Sequence, residues 1–291
     1  FVVSVILNSK IRIYFLILLY IQFLKTQFFQ MFIKKYFYLI KFQYLGYRFH
    51  GWQKQPKLKT IHLMIDRTFK YILENKYFKT LAAGRTDAMV SANEAAFELF
   101  LHHKIEDETE FLNLFNKNLP QDIRALSIQQ VTEDFNIIQS SKTKEYIYLF
   151  TYGKKCHPFC ASIMTTILDD LDIKVMKKGA QLFQGTHNFK TYCYKPTNDG
   201  VYNRIIDACE LTENTIYTAN FFPENTYILR VVGKGFGRNQ IRLMMGALIK
   251  LGRGEITLNY IERSLLPESY EVMDYIAPAS GLILNKIKFE E

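Results

Sequence analysis

The chain has 291 residues, of which 48% are hydrophobic, and this length and composition exclude a disordered or fibrous protein. The 37 Lys and Arg exceed the 28 Asp and Glu and give a formal net charge of +9, which favours a polyanionic partner such as nucleic acid, although solubility alone also accounts for such a charge. Four cysteines are too few for a disulfide framework, so we interpret them as free thiols in a reducing cytoplasm.

The first 30 residues differ in composition from the rest of the chain. Residues 13–24 contain Gln22 as their single polar residue, yet this run is too short to span a bilayer. No small-residue cleavage pattern follows Leu24, which argues against a signal peptide. Since the first methionine is Met31, we expect residues 1–30 to be an upstream or non-native extension, and we expect no membrane association.

The sequence of the N-terminal part predicts a strand, then a helix, and then two sheet elements joined by a loop. Alternation from Tyr36 to Tyr44 is typical of a strand. Thr60 precedes apolar residues at helical spacing and is predicted to be the N-cap of a helix. A loop of small residues then leads to Asp87, and alternating apolar residues follow it up to Leu101. Asp87 is therefore predicted to lie on a loop between two sheet elements.

The C-terminal part repeats this organisation. Tyr146–Phe150 reads as a buried strand and Val175–Phe183 as a helix. Further on, a strand at Tyr227–Val231 precedes the turn Gly233–Gly237 and a helix that ends at Gly252. No linker separates the two parts, so both are expected to contribute to one sheet and one cleft. We place the boundary near Lys142, between an N-terminal half (31–141) and a C-terminal half (142–291).

The segment Gly84-Arg85-Thr86-Asp87 is the first candidate for chemistry. An arginine beside an aspartate favours the anionic carboxylate, which suits a nucleophile or a base. Asp is also a common turn residue, so a structural turn with Arg85 in a surface ion pair is the alternative.

The glycine-rich turn before the last long helix is the second candidate. Glycines at a helix N-terminus let backbone N–H groups approach a phosphate, but no second βαβ unit accompanies this one, as a dinucleotide site requires. Arg238 and Arg242 lie four residues apart and are predicted to share one face of the helix. They could clamp a phosphate or pair with a carboxylate, or they could form a solvated basic face.

Two weaker patterns involve aromatic residues and cysteines. Tyr44, Tyr47, Phe49 and Trp52 lie among cations, as in nucleic-acid grooves, but most of them are expected in the core. The spacing Cys156-His157-x-x-Cys160 has no second ligand pair, so no metal site is expected.

Read together, these segments resemble the tRNA pseudouridine synthase A family from residue 36 to residue 289. Each match is weak alone, and their order along the chain makes the set specific. The matching motifs are Tyr44-x-Gly46-x-x-Phe49-x-Gly51-Trp52-Gln53-x-Gln55-Pro56 with Thr60, Gly84-Arg85-Thr86-Asp87 with Val90 and Ala92, Asn118-Leu119-Pro120-x-Asp122-Ile123, Lys144-x-Tyr146-x-Tyr148, Phe183-x-Gly185-x-His187-x-Phe189, Arg204-x-Ile206, Gly235-Phe236 with Ile241-Arg242 and Gly246, and Ala277-Pro278-x-x-Gly281-Leu282.

The resemblance implies an α+β pseudouridine synthase fold, in which two similar α/β halves share a continuous, mainly antiparallel sheet with a central cleft. It implies a cytoplasmic homodimer that uses no cofactor and acts on the anticodon stem-loop of tRNA. Asp87 matches the aspartate that attacks the target nucleotide, Tyr146 the tyrosine under the flipped base, and Arg242 the arginine that pairs with the aspartate. Arg85 and Arg238 are further candidates for substrate binding.

Three departures from the family pattern concern substrate contacts. Met89 and Ser91 stand where the family usually has glycine and histidine, and Ile138 stands where it usually has arginine. Losing the imidazole or the cation would weaken a backbone or base contact by about 1 to 3 kcal/mol each. These departures bear on which uridine is modified more than on the reaction.

Two other functions remain open from the sequence. An RNA-binding paralogue could retain the cleft without turnover, although a binding module has no need of a carboxylate among phosphate-binding cations. A small-molecule phosphate enzyme built on the Gly233 turn is possible only if Asp87 lies far from that turn.

Overall fold

The computed structural model describes residues 35–197 and 199–289, which form five helices around a ten-stranded sheet. The strands are β1 (Tyr36–Tyr44), β2 (Phe78–Ala82), β3 (Ser91–Leu101), β4 (Ile123–Val131), β5 (Ser141–Tyr152), β6 (Thr165–Ile167), β7 (Gly185–Asn188), β8 (Asn203–Glu213), β9 (Thr226–Gly233) and β10 (Leu282–Phe289). The helices are α1 (Ile61–Ile72), α2 (Glu108–Asn118), α3 (Ile173–Leu182), α4 (Gln240–Gly252) and α5 (Leu258–Ser264). Short 3-10 turns occupy Pro158–Ser162, Lys190–Tyr192 and Ala279–Gly281.

The sheet joins the two parts of the chain through its last strand. Hydrogen-bonded neighbours follow the order β4-β1-β3-β10-β5-β9-β8-β7, while β2 pairs with β3 and β6 with β5. The β10–β3 and β5–β6 pairs are parallel, and the other pairs are antiparallel. Because β10 lies between β3 and β5, the start of β3 and the middle of β5 are separated by one strand. The mixed α/β fold with a continuous, mainly antiparallel sheet confirms the prediction from the sequence.

Local sequence signals account for most of these elements. Tyr38, Ile40, Phe42 and Tyr44 alternate along β1 and are all buried, as the predicted strand requires. Thr60 is the N-cap of α1 and accepts a hydrogen bond from the amide of Leu63, at 3.3 Å. Both predictions are confirmed.

Two hydrophobic clusters of buried residues form the core. One packs α1 and α2 against the N-terminal strands, where the rings of Phe69 and Phe115 stack with centroids 4.3 Å apart. The other surrounds α4, in which 11 of 13 residues are buried and the exceptions are Arg242 and Lys250. A helix with so few exposed positions is fixed on most sides, so a side chain from its first turns is held in a defined direction.

Gly246 lets a later segment cross α4 closely. A Cβ atom built there would lie 1.9 Å from the carbonyl oxygen of Tyr275. The chain then continues to Ala277, whose amide donates to the carbonyl of Arg242 at 3.1 Å. The matching Gly246 and Ala277-Pro278 motifs are therefore two sides of one contact.

The predicted division of the chain at residues 141 and 142 stays a prediction, and the sheet runs on across it through β5. The predicted extension, residues 1–30, lies outside the described residues. None of the described helices has both the length and the apolar character that crossing a membrane requires.

Candidate active site

Asp87 lies on the loop between β2 and β3, as predicted, and the segment after β1 holds this loop in place. The amide of Trp52 donates to the carbonyl of Thr86 at 3.1 Å, and the amide of Met89 donates to the carbonyl of Phe49 at 3.0 Å. The hydroxyls of Tyr44 and Thr86 are hydrogen-bonded at 2.8 Å. The aspartate is thus bracketed by contacts to a rigid part of the N-terminal core, which fixes where its carboxylate can point.

Two glycines make that close contact possible. Gly51 has φ of +80°, in the region that favours glycine, and a Cβ there would lie 2.6 Å from the carbonyl oxygen of Thr86. A Cβ at Gly46 would lie 2.0 Å from the carbonyl oxygen of Val90. Ser91 completes the contact, because its buried hydroxyl accepts from the amide of Gly46 at 2.9 Å. Ser91 therefore supports the backbone at the position where the family usually has histidine.

Arg242 is the cation beside Asp87. Its Nη1 lies 3.9 Å from the Asp87 Oδ2, and its Nε donates to the carbonyl of Ala277 at 2.7 Å. The Arg242 side chain is 17% exposed and that of Asp87 is 42% exposed. Burial lowers the pKa of Arg242 from its usual value, and the negative charge of Asp87 opposes that shift. The arginine is held by backbone on one side and points its charge at the carboxylate on the other.

Tyr146 lies on β5 in the same cavity as Asp87. Its ring meets that of Phe236 edge to face, with centroids 5.3 Å apart and planes at 84°. Burial raises the pKa of the Tyr146 hydroxyl, and the charge of Asp87 raises it further, so the phenol stays neutral. The structure thus brings together Asp87, Tyr146 and Arg242 from three distant segments of the sequence.

The cavity that contains Asp87 and Tyr146 has a volume of about 770 Å³. Among the described lining residues, Lys54, Arg85, Lys144 and Arg238 are basic, and Asp87 is the one carboxylate. Residues 236–241 also line it, so the N-terminal end of α4, with its partial positive charge, faces the same space. A cavity with this charge is suited to bind an anion around a single carboxylate.

Arg85 and Arg238 line the cavity but differ from the sequence prediction in their contacts. Arg85 donates from Nη1 to the Gln53 Oε1 at 2.7 Å, so the cation beside Asp87 is Arg242 and not its neighbour in sequence. Helix α4 begins only at Gln240, after Asn239 with φ of +55°. Arg238 therefore precedes the helix and does not share a helical face with Arg242, which corrects the prediction from their spacing. Its guanidinium lies 4.9 Å from the ring centroid of Tyr194.

Lys144 is a cavity residue whose role the sequence did not assign, although it appears in the Lys144-x-Tyr146 motif. Its Nζ donates to the carbonyl of Ala83 at 2.8 Å, and burial lowers its pKa. Lys144 is two residues from Tyr146, and alternate residues of a strand share one face. This spacing was the signal from which the position of Lys144 in the cavity could have been predicted.

The glycine-rich turn does not belong to a dinucleotide site. Strand β9, which precedes it, pairs antiparallel with both β5 and β8, whereas a βαβ unit requires parallel strands. The turn also lines the same cavity as Asp87. The condition for a separate phosphate enzyme, a distant Asp87, is therefore not met.

Other predicted features lie outside the cavity. Tyr44, Phe49 and Trp52 are buried, as expected for core residues, and Tyr47 is 44% exposed. Ile138 is 59% exposed and does not line the cavity. All four cysteines are free, and the described residues contain no group of three or more His, Cys, Asp or Glu placed to hold a metal ion.

Comparison with known proteins gives a consistent picture. A family model described as tRNA pseudouridine synthase matches residues 180–290. A protein of Dictyoglomus thermophilum named tRNA pseudouridine synthase A is 28% identical over 256 residues, covering 86% of this chain and 98% of its own length. A protein of Bacillus cereus named tRNA pseudouridine synthase A 1 is 27% identical over 246 residues, covering 84% of this chain and 96% of its own.

Among solved structures, the chain is similar to one in the crystal structure of a Cbf5-Nop10-Gar1 complex. The two are 12% identical, with a TM-score of 0.29, and the match covers 84% of this chain and 57% of that one. A likeness at this level carries no further conclusion.

Proposed function

We propose that the chain belongs to the tRNA pseudouridine synthase A family of isomerases, and that it converts uridine to pseudouridine in tRNA with Asp87 as its catalytic carboxylate. One observation carries the assignment of Asp87. It is the one carboxylate among the described residues that line a basic cavity, and it lies 3.9 Å from the partly buried cation of Arg242. Charged groups aimed into a cleft with desolvated partners are typical of catalytic sites.

The reaction fits a site that contains one carboxylate. Isomerisation breaks the bond between N1 and C1′, turns the uracil ring and joins C5 to the same C1′, while the proton on C5 is lost and N1 gains one. Composition and oxidation state do not change, so we propose that the enzyme works without a cofactor. The Asp87 carboxylate either adds to the base or removes a ribose proton, and both routes use its negative charge, which lies 3.9 Å from the Arg242 guanidinium.

Access to the base requires the uridine to leave its stack. Flipping costs a few kcal/mol and least in a loop, which supports the anticodon stem-loop as the substrate region. We propose that the Tyr146 ring, fixed edge to face by Phe236, packs under the flipped uracil. Arg85 and Arg238, which line the same cavity, are placed to neutralise the phosphates beside it.

We further propose that the protein acts in the cytoplasm as a homodimer. A tRNA is larger than one cleft of this size, and a second copy would extend the basic surface. Mass determination by light scattering at micromolar concentration tests this assignment, and a monomer that remains fully active contradicts it.

The decisive experiment compares Asp87→Asn with a matched control. Asp169→Asn removes an aspartate that is also partly exposed and also paired with an arginine, Arg253, at 2.5 Å, but lies outside the cavity. We expect Asp87→Asn to reduce the single-turnover formation of pseudouridine in an unmodified tRNA pool by at least about 1000-fold, and Asp169→Asn to match the wild type.

Binding separates the enzyme from an RNA-binding paralogue. Removing a carboxylate that repels phosphate at about 8 Å changes the binding free energy by about 0.5 kcal/mol, so tRNA affinity of Asp87→Asn should stay equal or rise about twofold. A wild-type protein that binds tRNA but forms no pseudouridine at any uridine would support the paralogue. Full turnover by folded Asp87→Asn would refute the role of Asp87.

A further inference from the structure

Lys144 is a partly buried cation for which the described residues supply no acidic partner. Its Nζ contacts the carbonyl of Ala83 at 2.8 Å, and among the described residues no carboxylate lies within 4.0 Å of it. An ammonium group has three N–H donors, and the described residues supply an acceptor for one of them. Burying such a group is unfavourable unless something else binds it. The remaining donors are therefore available to a ligand that enters the cavity.

The position of Lys144 shows where that partner would be. Lys144 and Tyr146 lie two residues apart on β5, so their side chains project from the same face about 7 Å apart. Both line the cavity that contains Asp87. Gly84, at the start of the Asp87 loop, leaves room for the ammonium, because a Cβ there would lie 3.2 Å from Nζ. A base packed on Tyr146 would have its edge within reach of Lys144.

The reaction develops charge at that edge. Addition of a carboxylate to the conjugated uracil ring, or departure of the ring from C1′ with the electron pair of the N1–C1′ bond, places negative charge on the ring. The ring carbonyl oxygens share this charge, and it is discharged when the C5–C1′ bond forms, C5 loses its proton and N1 gains one. A fixed cation in a site shielded from water stabilises such charge strongly.

We propose that Lys144 is a further catalytic residue, whose ammonium donates to a carbonyl oxygen of the flipped uracil and stabilises the negative charge of the detached ring. The inference rests on the proposed function, since it assigns a role within the same reaction. Two other roles give different results. A phosphate contact would affect RNA affinity, and a purely structural anchor of Ala83 would affect stability and the Asp87 loop.

The test compares Lys144→Met and Lys144→Arg with the wild type under single-turnover conditions with an unmodified tRNA transcript. Methionine retains the length of the side chain but removes the charge, and arginine restores the charge. Lys154→Met is the control, because Lys154 is an exposed lysine in the turn after β5, roughly 25 Å along the strand from Tyr146. Thermal unfolding of each variant accompanies the rate measurements.

We expect Lys144→Met to reduce the rate constant of the chemical step at least 100-fold while the Kd for tRNA changes less than threefold. Lys144→Arg should recover at least a tenth of the wild-type rate, and Lys154→Met should match the wild type. A weaker Kd with an unchanged rate constant would assign Lys144 to a phosphate and overturn the proposal. Equal rates for Lys144→Met and the control would also overturn it.

The pH dependence supplies a readout that a structural role would not produce. The titratable and charged groups that line the cavity with Lys144 are His50 and Lys54 after β1, Arg85 and Asp87 on the loop, Tyr146 on its own strand, and Arg238 before α4. Burial lowers the pKa of Lys144, so the active ammonium form is lost as pH rises through that value. The alkaline decline in rate should therefore move to higher pH in Lys144→Arg, because guanidinium does not deprotonate in this range.

An alkaline decline in rate at the same pH in Lys144→Arg as in the wild type would contradict the inference.

Failure of this inference can be distinguished from failure of the proposed function. If the wild type forms no pseudouridine, both are wrong, whereas an active wild type with an equally active Lys144→Met removes the role of Lys144 alone.

Discussion

Replacing Arg242 by alanine should reduce both stability and turnover, and each loss comes from a different contact of Arg242. The stability loss comes mainly from the hydrogen bond to Ala277, since a hydrogen bond from a charged donor contributes about 1.5 to 3 kcal/mol. A loss of about 2 kcal/mol should lower the Tm by about 4 °C for a chain of this length. Differential scanning calorimetry of the folded variant measures this change.

The loss of turnover comes from the ion pair with Asp87. Charges 3.9 Å apart interact by about 4 kcal/mol at an effective dielectric constant of about 20. Because the Asp87 side chain is 42% exposed, solvent screening reduces this to about 2 kcal/mol, which corresponds to a rate about 30-fold lower. The turnover rate of Arg242→Lys should lie between those of the wild type and Arg242→Ala. One ammonium group cannot contact both Ala277 and Asp87 as the guanidinium does.

Arg253→Ala is the matched control for this prediction. Arg253 is also a partly buried arginine, 25% exposed, and it pairs with Asp169 at 2.5 Å at the other end of the same helix. It should lose stability to a similar extent while keeping the wild-type single-turnover rate. If the control loses turnover as much as Arg242→Ala does, the effect follows from stability alone, and the electrostatic argument is refuted.

Three further predictions concern the loop and the RNA. Gly46→Ala should lower the free energy of unfolding by more than about 2 kcal/mol in urea titrations, because its Cβ would lie 2.0 Å from the Val90 carbonyl oxygen. A decrease of less than about 0.5 kcal/mol would contradict this close packing. Met89 has φ of +67°, so Met89→Gly should raise the free energy of unfolding by about 0.5 kcal/mol and Met89→Val should lower it by about 1 kcal/mol. If both variants change the free energy of unfolding in the same direction, backbone strain at Met89 is excluded. If Lys54, Arg85 and Arg238 each bind one phosphate, tRNA affinity should fall about 20- to 40-fold between 50 and 200 mM salt in filter-binding titrations, and salt-independent binding would refute a basic cleft.

The sequence by itself determined the elements and the reaction class. Alternation along β1 and the cap at Thr60 are local signals, because burial of one face and satisfaction of the first helical amides depend on neighbours in sequence. The ordered motifs around Asp87 predicted the resemblance to the tRNA pseudouridine synthase A family. The same motifs contained Gly46 and Gly51, whose purpose became clear only when the loop was seen packed against them.

The tertiary structure decided which charges meet. The local segment set Arg85 beside Asp87 in sequence, whereas the family resemblance matched Arg242 to that role; in the structure Arg85 contacts Gln53 and Arg242 lies beside Asp87. Spacing placed Arg238 on a helix that in fact begins two residues later. These outcomes depend on where β10 inserts into the sheet and on how α4 is buried beneath the segment that reaches Ala277. Contacts between distant segments follow from strand order and packing, which no local pattern encodes.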